Sequence, residues 1–153
     1  MNKVELKKYC ENKKKELQVI YDSVPKMICE NNCRDCCGMT RWFPVEAINI
    51  IDFLKAYDMK EKEAKSFLDY CPYLDKESKC TIYPVRPIIC RLFGSTDHTK
   101  IKRGIKVSMI CPKDCKPKKY LTSQQSISMM NKIATMIPDN IMDQIAKERG
   151  WFD

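Results

Sequence analysis

Four cysteines stand within nine residues, Cys29-Glu-Asn-Asn-Cys33-Arg-Asp-Cys36-Cys37, a density that packing alone does not require. Closely spaced thiolates are ligands for zinc or iron-sulfur clusters, and this stretch offers no apolar period, so it reads as an irregular loop. Four more thiols follow at Cys71, Cys80, Cys90 and Cys111, each beside turn-forming residues. These eight cysteines are the candidate metal ligands and suffice for one or two four-thiolate sites. In an extended loop the neighbouring side chains of Cys36 and Cys37 diverge, so they are expected to serve different ions, flank a shared cluster, or leave one free thiol. Cys115 has ligand spacing from Cys111 but sits in a Lys-Pro linker, so its role stays open. Cys10 is expected to lie away from the others on a first helix.

Compartment decides how ten cysteines are read. The start, Met1-Asn-Lys-Val-Glu-Leu-Lys-Lys, carries charges where a signal peptide needs an apolar core, and no apolar run nears the ~20 residues that span a bilayer. A cytoplasmic chain with no membrane segment is therefore expected. There thiols are kept reduced, which favours metal binding over a disulfide framework.

With 153 residues, 44% of them hydrophobic, the chain suits one small domain. We expect residues 1–153 to form a single, mainly α domain with a cysteine-cluster core over 29–115, flanking helices within 1–24 and 119–150, and a short β-hairpin. Leu6, Tyr9, Cys10, Leu17 and Ile20 recur at helical spacing over residues 3–22. Pro44 suits the first turn of a buried helix bearing Val45, Ile48, Ile51 and Leu54. A charged helix is expected over 60–69. The turn-rich segment from Cys71 to Arg91 suits a hairpin turning at Asp75 to Lys79, then a short helix from Pro87 that carries Cys90 and Arg91 and ends near Gly94. A strand is expected at Ile105 to Met109. Ser123 is a plausible cap for a helix through Ile127, Met130 and Ile133, and a last helix from Pro138 through Ile141 and Ile145 closes at Gly150.

Net charge is +8, with basic runs at Lys13 to Lys15, Lys100 to Lys106 and Lys113 to Lys119. A polyanion partner is one reading. Aromatics do not interleave with these runs, so nucleic acid is weakly supported. Two zinc ions on eight thiolates would remove about half of the excess charge.

Cys29-x3-Cys33-x2-Cys36 matches the three-cysteine spacing of radical S-adenosylmethionine enzymes. Those have an aromatic before the third cysteine, where Asp35 stands here, and use a barrel of alternating strands and helices that is not evident in this sequence. A longer match is stronger: the cluster followed by Cys71-Pro72-Tyr73-Leu74, then Cys80-Thr-Ile-Tyr83-Pro-Val-Arg86-Pro87-Ile-Ile-Cys90-Arg91, then Cys111-Pro112. Together these resemble the YkgJ-type cysteine-cluster family, the zinc- or iron-chelating CxxCxxCC domain, over roughly residues 29–112. Three residues separate Cys29 from Cys33 where the family name has two, so Cys29 departs from the family spacing. Related domains are iron-sulfur proteins and occur in flagellin lysine methylases, so the resemblance implies a metal but no single reaction.

Arg86 and Arg91 are expected to bind the cofactor indirectly, by donating hydrogen bonds to cluster sulfurs or thiolates and offsetting their charge. The bland alternative is pairing with surface carboxylates. His98, the sole histidine, is expected to face solvent. Two functions remain open: a cysteine-rich protein that binds zinc or an iron-sulfur centre in a structural, metal-handling or partner-binding role, or an iron-sulfur enzyme acting in redox chemistry or in cluster-assisted modification of a protein lysine. A protein is the expected partner or substrate.

Overall fold

The computed structural model describes residues 1–27, 34–38, 41–63, 69–96, 99–102, 105–111, 113 and 115–151, with only the backbone at 99–102 and 105–108. Helix α1 spans Lys3–Asp22 and begins in a capping box: Asn2 Oδ1 accepts the Glu5 N–H at 3.0 Å, and Glu5 Oε2 accepts the Asn2 N–H at 2.8 Å. It buries Leu6, Cys10, Leu17 and Tyr21, while Tyr9 and Ile20 are only partly covered. Helix α2, Pro44–Ala56, opens on proline as its sequence demands. It is apolar on two sides. Val45 and Ile48 join the core formed with α1, whereas Ile50 and Leu54 meet Tyr73 and Ile82 in a second cluster. Helix α2 thus lies between the main core and the cysteine-bearing segment, against which Cys71 and Cys80 also pack.

The expected hairpin in that segment is reduced to an isolated bridge between Leu74 and Cys80. The turn itself forms, with the Asp75 N–H donating to the Lys79 carbonyl at 2.9 Å. Asp75 Oδ1 takes the N–H groups of Glu77 and Lys79, and Pro72 has no N–H to give, so no ladder extends from the bridge. A 3-10 turn at Tyr83–Val85 leads to the short helix α3, Ile88–Leu92. Gly94 follows in the left-handed region at φ 82°. The expected helix over 60–69 lies partly outside the described residues at 64–68, and its described positions 60–63 are irregular.

Strands β1, Thr99–Lys102, and β2, Ile105–Ser108, pair antiparallel with Thr99 opposite Ser108. Helix α4, Ser123–Ala134, is capped by Thr122 and not by Ser123: Thr122 Oγ1 accepts the Gln125 N–H, and the Gln125 side chain returns the bond. Ile133 is buried on α4, but Ile127 is 39% exposed. Helix α5, Asp139–Arg149, ends at Gly150 with φ 67° and buries Ile145. Asp52 of α2 fastens α1 and α5, receiving Lys14 Nζ at 2.8 Å and Arg149 Nη1 at 2.6 Å. No helix among the described residues is long and apolar enough to cross a membrane.

Candidate metal centre

The Cys36 loop is a turn, closed by the Cys37 N–H donating to the Arg34 carbonyl at 2.9 Å. This overturns the expected divergence of Cys36 and Cys37, which assumed an extended backbone. Their thiols come within hydrogen-bonding reach of each other, which holds Cys36 down to about 6 and pushes Cys37 up. The Cys71 and Cys90 thiols stand close enough to raise Cys37 further, and Cys36 and Cys71 act in the same way on Cys80, whose main upward push is burial. Burial also raises Cys71.

Side chains flanking these thiols make the same connections. The Arg34 guanidinium lies over the Tyr70 ring at 4.4 Å, beside Cys71, and Asp35 pairs with Lys113 at 3.5 Å, two residues past Cys111. Cys111 borders Gly94, where an added Cβ would lie 3.4 Å from its own Cβ. Among the described thiols, Cys37 thus feels Cys36, Cys71 and Cys90, Cys80 feels Cys36 and Cys71, and the Asp35–Lys113 pair ties the Cys111 segment to the same loop. Cys29, Cys33 and His98 lie outside the described residues. Cys115 is half-buried, and Cys10 sits apart on α1 in contact with Arg149.

A feature missed in the sequence positions Cys90. Glu46 is wholly buried, and its Oε1 accepts the Tyr21 hydroxyl at 2.8 Å and the Ile88 N–H at the start of α3, while Oε2 takes the Phe43 N–H at 3.1 Å. Burial raises the Glu46 carboxyl, against these three donors and nearby Arg91. A first-turn glutamate can reach back to the helix start, but Asn49, Asp52 and Lys55 on the same helix leave nothing in the sequence to mark Glu46 as the buried one.

The two arginines differ. Arg91 gives its Nε to the Arg86 carbonyl at 2.9 Å and an outer nitrogen to the Pro84 carbonyl at 2.8 Å, and it stacks on Tyr21 at 3.8 Å. It braces the chain that carries Arg86. Arg86 stacks on Tyr83 at 3.8 Å, lowers the Cys36 and Cys80 thiols by its charge, and leaves its buried Nε without a hydrogen-bond partner among the described residues.

A family model described as "Putative zinc- or iron-chelating domain", CxxCxxCC, matches residues 28–116. The chain belongs to the CxxCxxCC family. No curated protein and no solved structure matches it. The residues of this CxxCxxCC domain suit the group the family implies, because clustered thiols are costly to ionise without a cation and the orphaned Arg86 donor lacks the anionic sulfur it would serve. Among the described residues no three Cys, His, Asp or Glu side chains already form a ligand set.

Proposed function

We propose that the domain binds zinc or an iron-sulfur cluster through Cys29, Cys33, Cys36, Cys37, Cys71, Cys80, Cys90 and Cys111, and serves as a metal-handling or partner-binding module in the cytoplasm, with a protein as partner. The observation that carries this reading is the interleaving of the Cys36-Cys37 turn with the later thiols Cys71, Cys80 and Cys90. A bound ion or cluster would supply a cross-link between these segments and, with iron, an electron-transfer centre.

The chain's own residues prepare that binding. Glu46 fixes the start of α3 and so the position of Cys90. Arg91 holds the Pro84–Arg86 backbone, and Arg86 brings positive charge to Cys36 and Cys80. Arg86 Nε would be available to donate to a sulfur of the bound group.

Anaerobic purification followed by metal quantitation and a visible spectrum tests the reading. A broad visible band with bound iron indicates a cluster, and a colourless protein with bound zinc indicates the alternative ion. Protein that holds neither metal contradicts the proposal.

A further inference from the structure

Beside the thiols lies a second feature, a cleft of 240 Å³ with Tyr21 and Tyr83 among its walls and Lys26, Arg86 and Arg91 among its lining residues. Its charge is unbalanced. The lining carries one carboxylate, Asp22, which receives the Gln18 amide at 2.7 Å, and no ion pair among the described residues joins a carboxylate to Lys26 or either arginine. Glu46, behind Arg91, is occupied by three donors. Each guanidinium is stacked on a tyrosine at 3.8 Å and so is held in place before any ligand arrives; Arg91 gives its Nε and one outer nitrogen to backbone carbonyls and keeps its other outer nitrogen for a ligand.

We infer that this cleft is a binding site for a small oxyanion, a carboxylate or phosphate group, held by Arg86, Arg91 and Lys26. Guanidinium forks match the paired oxygens of either group, and the volume limits the occupant to a small anion or to the end of a larger one. The site rests on the metal reading only through Arg86, whose charge also acts on Cys36 and Cys80.

The test is NMR line broadening of two probes, inorganic phosphate observed by phosphorus and acetate by carbon, titrated with the full chain at fixed ionic strength. Saturable broadening of at least one probe is expected, and comparing the two shows which oxyanion the cleft prefers. Lys26→Gln and Arg86→Gln should each weaken it by about tenfold. Lys119→Gln, on the exposed basic run, should leave it unchanged. No saturable broadening with either probe, or an equal loss in Lys119→Gln, overturns the proposal. Lys26 has an exposed side chain and is not among the candidate metal ligands, so Lys26→Gln tests the cleft even if Arg86→Gln loses metal. Metal content measured on each sample separates the two readings: broadening without metal contradicts only the metal site, and metal without broadening contradicts only the cleft.

Discussion

Tyr21 donates its hydroxyl to Glu46 Oε1 at 2.8 Å inside the core, and the same oxygen receives the first N–H of the helix that carries Cys90. One buried carboxylate therefore connects the end of α1, the start of α2 and a candidate metal ligand. Removing it strands the Phe43 and Ile88 N–H groups. Glu46→Ala should destabilise the protein by about 3 kcal/mol, and Tyr21→Phe, which keeps the ring, by about 2 kcal/mol. Urea unfolding of both variants checks the order, and equal, negligible losses would show that the carboxylate is not an organising contact.

Asp52 gives the fold a defined acid sensitivity. Burial opposes its ionisation, but Arg149 and Lys14 prevail and hold its carboxyl below the usual 3.8. A depressed folded pKa means that the carboxylate's stabilisation is present above 3.8 and is lost as pH falls through the lower folded value. Asp52→Asn should cost about 1–3 kcal/mol at neutral pH and flatten this part of the acid unfolding profile. A variant profile that falls as steeply as the wild type would contradict the assignment.

Gly94 joins the end of α3 to the Cys111 segment. Its φ of 82° disfavours any L side chain, and an added Cβ would meet Met27 Cε and the Cβ of Cys111. Met27 can swing aside, but the backbone strain remains. Gly94→Ala is expected to cost about 1–2 kcal/mol and to lower metal content, measured on the same preparation.

Much of this arrangement was legible in the sequence. Helices α1, α2 and α5 declare themselves by apolar period, the last two also by Pro44 and Gly150 at their ends, and Pro87 marks the start of α3. Glu46 was not legible, because a first-turn glutamate reads as solvated until Tyr21 and Ile88 close over it. The Cys36-Cys37 contact was misread for a related reason. Side-chain divergence follows from an extended backbone, and one hydrogen bond from Cys37 to Arg34 makes a turn instead. The hairpin failed because Asp75 uses its side chain on the backbone that a ladder would need.

Interleaving predicts coupled loss. Cys90→Ser should release metal and also expose Cys36 and Cys37 to alkylation, because Cys37 adjoins both Cys36 and Cys90. Metal loss with Cys36 and Cys37 still protected would instead mean independent early and late sites.

Metal removal should act locally. Cys71 and Cys80 pack on a small cluster of Ile50, Leu54, Tyr73 and Ile82, whereas α1, α4 and α5 contribute to the larger core. Chelation is expected to abolish hydrogen-exchange protection over 71–85 while most helical circular dichroism persists. Full protection of 71–85 in verified metal-free protein would contradict this.

X-ray absorption at the edge of whichever metal accompanies the anaerobically purified chain reads the ligand atoms themselves. A first shell made of sulfur at about 2.3 Å is expected, as thiolate ligation of zinc or iron requires. A shell dominated by nitrogen or oxygen, or protein with no stoichiometric zinc or iron, would contradict it.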